Sequence, residues 1–242
     1  MSKSKKVILL IVEGKTDEDT LSPVLKKIFD DCNVKFKITR GDITVRTKDN
    51  DINPQNAITK INTHIKNEMG RYGYTVKDMI KVIHLIDTDG AFIPDESVVF
   101  GAHERRAYYL DRIETCNPED IQWRNEGKKA VVQRLRCTNK IGGIPYSIFF
   151  FSRNLEHVLH DIAKDLSIDE KIELADDFAQ KYENDSEGFK ALVCSDKIIA
   201  PGDYQESWEH IFTGTNSLKR FSNFHLIFSD EALFPDKAKC TD

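Results

Sequence analysis

Val7-Ile8-Leu9-Leu10-Ile11-Val12-Glu13-Gly14-Lys15-Thr16-Asp17 decides the fold. Six apolar residues run without a break and end on a carboxylate, a glycine and a polar turn. Such a run reads as a strand buried on both faces, as in a parallel sheet covered by helices. It delivers Glu13 to the edge of that sheet. Val82-Ile83-His84-Leu85-Ile86-Asp87-Thr88-Asp89-Gly90 repeats the form. Between them, Leu21, Val24, Leu25 and Ile28 follow helical spacing. Thr16 with Asp19 predicts a capping box, and Pro23 predicts a kink or restart. Val34, Phe36 and Ile38 alternate with lysines as in a half-exposed strand. A loop over 41–53 carries a short predicted strand at Ile43–Val45. Asn53-Pro54 predicts a helix start, and Gly70 its stop. Strands alternating with helices predict an α/β fold with a mostly parallel sheet.

The chain has 242 residues, 40% of them hydrophobic and 31% charged, which suits a sizeable core and excludes wholesale disorder. The net charge of −5 argues against a passive nucleic-acid-binding module. Five cysteines form no C-x-x-C pair, so zinc-ribbon and redox readings fail and free thiols in a reducing cytosol are expected. Val7–Val12 is too short for a signal-peptide core, and no stretch approaches the ~20 apolar residues of a membrane helix. A soluble cytoplasmic protein without membrane contact is expected.

Residues 91–140 differ from the rest. From Arg105 to Lys140 there are nine basic and five acidic residues, with Tyr108, Tyr109 and Trp123 interleaved. This segment reads as a basic insertion of one or two helices beside the site. Its Arg105, Arg106, Lys128 and Lys129 are candidate nucleic-acid contacts, as is Lys15 at the first strand–helix turn. Ile144–Phe151 then reads as another core strand. Helical patterns follow from Leu155, from Ser167 to Tyr182, around Trp208–Phe212 and around Ser217–Phe228. The predicted organisation is a core of 1–90 and 141–166, the insertion 91–140, and a helical extension 167–242 packed on the core.

The candidate chemistry lies in Glu13, Asp87 and Asp89. Ligands of open parallel sheets bind in the crevice at the carboxyl ends of strands. Carboxylates converging there raise one another's pKa unless a cation neutralises them. Mg²⁺ takes oxygen ligands and suits phosphate chemistry. Asp87-x-Asp89 places two acids on one side of an extended segment, about 6–7 Å apart. Asp17 lies one helical turn beyond Glu13. His157 and His160 read as structural or surface residues.

A hydrophobic strand with Glu13-Gly14, followed by one with Asp87-Thr88-Asp89, resembles the signature of the Toprim domain. The resemblance covers roughly residues 6–90, extended by the strand at 144–151. Val12-Glu13-Gly14-Lys15-Thr16-Asp17 and Ser152-Arg153-Asn154-Leu155-Glu156 are similar to the overcoming-lysogenization-defect nucleases and the RloB-like stand-alone Toprim proteins. The resemblance implies a Toprim-like Rossmannoid fold. It implies Mg²⁺- or Mn²⁺-dependent endonucleolytic hydrolysis of RNA or DNA with two ions. Glu13, Asp17, Asp87, Asp89 and Glu156 would be the metal ligands. Glu13, Asp87, Asp89 and a late lysine, Lys219 or else Lys197, would be catalytic. It further implies antiviral defence, with a separate ATPase as partner, since the chain has no Walker motif, and self-association is expected as well. The alternative is a non-nucleolytic Toprim module that binds nucleic acid or protein.

Overall fold

A computed structural model describes residues 6–30, 35–40, 43–47, 50–102 and 106–234. The first strand, β1 (Val7–Val12), is buried along its whole length. It runs into α1 (Lys15–Asp30) and the edge strand β2 (Lys35–Arg40). Next come α2 (Ala57–Tyr72) and β3 (Met79–Asp87). Three short strands follow, β4 (Val98–Phe100), β5 (Ala107–Tyr108) and β6 (Ile113–Thr115), and then the long α3 (Pro118–Arg136). The hairpin of β7 (Lys140–Ile141) and β8 (Ile144–Phe151) leads into α4 (Leu155–His160). The helices α5 (Ile168–Tyr182), α6 (Ser186–Val193) and α7 (Tyr204–Ile211) come last.

The central sheet has the order β2-β1-β3-β8-β7. β1 is parallel to β2 and to β3, and β3 is parallel to β8. Only β7 is antiparallel, through its tight turn to β8. The sheet is therefore mixed but mostly parallel and flanked by helices, an α/β architecture of Rossmann-like form. Period-two alternation divides the core. Ile8, Leu10 and Val12 face a layer with α1, α4, α5 and α6, whereas Leu9 and Ile11 face α2, α3 and α7. Because the chain passes from β1 out to β2 and then back across β1 to β3, the strand order reverses between β1 and β3. A crevice opens at the carboxyl ends of strands at such a switch point.

Several local expectations change. Pro23 sits inside an unbroken α1, where it removes one main-chain hydrogen bond without ending the helix. The cap of α1 is not Thr16 with Asp19. Asp17 Oδ2 accepts from Gly14 N–H at 2.8 Å, and Gly14 C=O accepts from Glu18 N–H. No strand forms among the described residues 43–47. Pro54 precedes α2 rather than opening it, because the Asn53 side chain accepts from the amides of Gln55 and Asn56 and closes a turn first. Gly70 does not stop α2. The helix runs to Tyr72, and Gly73 ends it in the left-handed region at φ 66°. The 91–140 segment is a three-stranded sheet, β4-β6-β5, plus the single helix α3. Residues 217–228 do not form one helix. They are two short 3-10 turns separated by an extended stretch around Ser222.

That extended stretch protects the sheet. β7 covers only the start of β8, which leaves the rest of that edge unpaired. The C-terminal part supplies the missing partners. Tyr204 Oη donates to Ile148 C=O (2.9 Å), Asn223 Oδ1 accepts from Phe150 N–H (2.9 Å), and Ser222 Oγ donates to Phe150 C=O (2.8 Å). Buried main-chain groups must find such partners, and an open edge invites pairing with other chains.

Among the described residues, Cys116, Cys137 and Cys194 are exposed, while Cys32 and Cys240 lie outside them. No helix among the described residues is long and apolar enough to cross a membrane.

The two glycines beside the acids are not equivalent. Gly90 has φ 65°, and a Cβ there would lie 2.4 Å from Leu218 Cδ2, while Gly14 has no such φ and its nearest contact would be 3.4 Å. Gly90→Ala is expected to destabilise the fold by about 2–4 kcal/mol, combining left-handed strain with overpacking against buried Leu218. Gly14→Ala is expected to cost less than about 1 kcal/mol. Denaturant unfolding of both variants checks this, and equal losses would contradict it.

Candidate functional site

β1, β3 and β8 lie side by side, so their carboxyl ends bring three chain segments to one edge. Glu13 follows β1 on the face of Ile11, toward α3. Asp87 ends β3 on the face of Ile83 and Leu85, toward α1 and α5. Glu156 enters from the first turn of α4, whose cap is Asn154 accepting from His157 N–H at 2.9 Å. Asp17 stands in the first turn of α1, buried.

The turn after β3 is locked from two sides. Thr88 is fully buried. Its Oγ1 donates to Ser217 C=O (3.1 Å) and accepts from Arg153 N–H (2.7 Å). Asp89 N–H donates to Arg153 C=O at 2.8 Å. Asp89 (φ 51°) and Arg153 (φ 60°) are both left-handed although neither is glycine. Each such residue costs about 1–3 kcal/mol and persists where its surroundings over-determine it. The left-handed turn separates the two acids that an extended Asp87-x-Asp89 would have placed alike. Asp87 ends the strand among the other carboxylates, whereas Asp89 turns toward α3.

Lysine 128 is the centre of that second half. Its side chain is completely buried, with Nζ 2.6 Å from Asp89 Oδ2 and 3.3 Å from Glu13 Oε1. Glu13 Oε1 also accepts from Thr44 Oγ1 at 3.2 Å. Arg124 adds a hydrogen bond to Asp89 C=O at 2.9 Å. Burial alone would raise the Asp89 pKa, but Lys128, Arg124 and Arg106 hold it below the usual carboxylate range. The opposite half has a second lysine. Lys171 of α5 places Nζ 2.9 Å from Glu156 Oε1, off hydrogen-bond geometry, and the buried Oε2 has no hydrogen-bond partner among the described residues.

At Asp87 burial and the neighbouring acids outweigh the attraction of Lys171. Burial, and then the charges of Asp17, Glu13, Asp89 and Glu156, push the Asp87 pKa well above the ordinary value. Burial also raises Asp17, against the lowering effect of the Gly14 N–H bond. Lys171 is raised despite its burial, because Glu156, Asp87 and Asp17 favour its charged form. His157, held to about 4 by burial and Arg153, stays uncharged at neutral pH.

Comparison of the chain with family models, with curated proteins and with solved structures finds no match.

Glu13, Asp17, Asp87, Asp89 and Glu156 meet at this edge. Lys219 does not join them. It is exposed and donates to Asn216 Oδ1 at 3.0 Å, while its main-chain carbonyl accepts from Ser152 Oγ. Lys197 is also exposed. Lys15 and Arg106 lie on the surface, Lys129 is half-buried, and Arg105 lies outside the described residues. Lys128 is inside the cluster rather than on a basic face. Sequence reasoning missed Lys171, whose helical spacing gave no sign of which face meets the sheet. Among the described residues, no three His, Cys, Asp or Glu side chains are placed so as to hold one metal ion together.

Two outcomes follow from these contacts. Lys128→Met leaves Glu13 and Asp89 facing each other without their shared cation. It is expected to destabilise by about 2–4 kcal/mol, short of the loss at a fully buried pair because the Asp89 side chain is 32% exposed. An unfolding free energy within about 0.5 kcal/mol of wild type would refute that role. Asp87→Asn has the opposite sign. The folded state holds the Asp87 proton more tightly than the unfolded chain does, so ionisation costs stability as pH rises above about 4. At pH 7 the variant is expected to melt at least about 2 °C above wild type, with the gap shrinking toward pH 4. A gap that widens on acidification would contradict this assignment.

Proposed function

We propose that this edge is the active site of a metal-dependent nuclease that hydrolyses phosphodiester bonds of RNA or DNA. The observation that carries the reading is the convergence of five carboxylates, from β1, α1, the end of β3 and α4, on the switch point of a mostly parallel sheet. A fold gains nothing from crowding acids until Asp87 cannot ionise normally, so the arrangement points to chemistry. In this reading the α/β core is a Toprim domain, a placement that rests on the Glu-Gly and Asp-x-Asp motifs.

The donor set suits Mg²⁺ or Mn²⁺. It consists of carboxylate oxygens alone, and buried Glu156 Oε2 lacks a hydrogen-bond partner among the described residues. Glu13, Asp17, Asp87, Asp89 and Glu156 would hold one or two ions, which supply Lewis-acid polarisation of a phosphoryl oxygen. Glu13, with Oε1 fixed by Thr44 and Lys128, orients a water toward the phosphorus and accepts its proton. Lys128 and Lys171 supply positive charge from opposite sides of the acids. An effector role in antiviral defence with a separate ATPase belongs to the same proposal and draws only on the motif resemblance. One observation favours the alternative of a non-nucleolytic binding module. As placed, the acids are balanced by two lysines, and no three of them are set around one ion.

Purified protein incubated with RNA and with DNA, in Mg²⁺, Mn²⁺ or EDTA, separates the two. Cleavage is expected in metal alone, falling at least about a hundredfold in Glu13→Ala and Asp87→Ala. Lys219→Ala is expected to stay within about threefold of wild type, since its ammonium lies outside the cluster. Nucleic-acid binding without cleavage in any metal, or equal cleavage by wild type and the carboxylate variants, would leave the binding module as the reading.

A further inference from the structure

Next to Asp89 the surface opens into a cavity of about 480 Å³. Asp89 forms the wall shared with the carboxylates. Arg106, Tyr108 and Arg153 line the cavity from the small sheet and the end of β8, and Asn117 brings the first turn of α3. α3 is 19 residues long, so the positive end of a long helix dipole faces this space.

Arg153 is the unusual member. It is only 4% exposed, yet its Nε has no hydrogen-bond partner among the described residues. Its guanidinium lies over the Tyr108 ring at 4.7 Å and reaches Asp165 only at 3.6 Å. A buried guanidinium has five donors and ordinarily uses them. Here the backbone at Arg153 is left-handed (φ 60°), and the buried Nε donor is unspent among the described residues. The three acids on the cavity wall are each engaged: Asp89 by Lys128, Asp120 by the Asn117 amide at 2.6 Å, and Asp165 loosely by Arg153 itself.

We propose that this cavity binds an internal phosphate of the nucleic-acid strand, next to the bond presented to the carboxylates, with Arg153 as its anchor and Arg106 at its mouth. The inference rests on the nuclease reading for which strand enters, but not for the anion site itself. Asp165 holds the guanidinium while the cavity is empty and yields it when phosphate arrives. A forked guanidinium matches two phosphate oxygens, which a lysine cannot do.

The test is fluorescence anisotropy in EDTA with the full chain, using a labelled single-stranded oligonucleotide in RNA and DNA form, with a 5′-hydroxyl or a 5′-phosphate. Arg153→Gly removes the guanidinium at a φ that glycine accepts freely, so the fold is expected to melt within a few degrees of wild type. Its affinity is expected to fall about ten- to a hundredfold, and the salt dependence of binding to lose about one phosphate contact. Arg153→Lys falls between. Asp165→Asn frees the guanidinium and is expected to bind more tightly than wild type, a gain expected to vanish when Arg153→Gly is added, whereas simple loss of a negative charge would keep it. The two 5′-ends are expected to bind alike, and strong preference for the 5′-phosphate, or competition by a nucleoside 5′-monophosphate at equal concentration, would overturn the internal position. Absence of binding by wild type, or wild-type affinity in both Arg153→Gly and Asp165→Asn, would overturn the site. Normal binding behaviour without cleavage would remove the nuclease reading and leave the phosphate cavity standing. Cleavage with unaltered variants would do the reverse.

Discussion

Mutual repulsion among Glu13, Asp17, Asp87, Asp89 and Glu156 is the constraint around which the rest of the molecule is arranged. Negative charges at the end of a buried sheet are costly, because little water is there to screen them. The protein answers with two lysines drawn from opposite layers. Lys128 comes from α3 and meets Asp89 and Glu13, while Lys171 comes from α5 and meets Glu156. Asp87 keeps a large share of the repulsion, since burial and four neighbouring carboxylates favour its protonated form. The helical layers on both faces of the sheet are thus tied to its carboxyl edge by charge as well as by apolar packing.

This arrangement gives the middle segment of the chain a meaning its composition hides. An excess of basic residues suggests a surface that waits for nucleic acid. Instead, Lys128 of the segment is turned inward, and the exposed Arg106 lines a cavity beside the buried Arg153. Charge counts along a sequence report totals, whereas the chemistry depends on which individual side chains lose contact with water.

The parts legible in the sequence were those set by local pattern. Strongly apolar runs marked β1, β3 and β8, and their order placed Glu13 and Asp87 at a shared edge. The helical pattern from Ser167 to Tyr182 marked α5, which runs over Ile168–Tyr182. What stayed hidden depends on contacts between distant segments. Nothing around Lys171 announces that its face of α5 turns toward Glu156. The left-handed turns at Asp89 and Arg153 arise from their hydrogen bonds to each other and to Ser217, 60 or more residues away. The stretch around Ser222 has helical composition but serves as an edge cover, because β8 needs main-chain partners there more than residues 217–228 need to coil.

Ser217 lies far along the chain from the turns it braces. Its carbonyl accepts from Thr88 and from Arg153, and its hydroxyl accepts from Phe92 N–H. A chain emerging from the ribosome contains Glu13, Asp87 and Asp89 long before it contains Ser217. During that interval the acids exist, but the turn that sorts them does not. The carboxylate edge is therefore assembled late in synthesis, and a product cut short before this serine carries all five acids without the brace that sorts them.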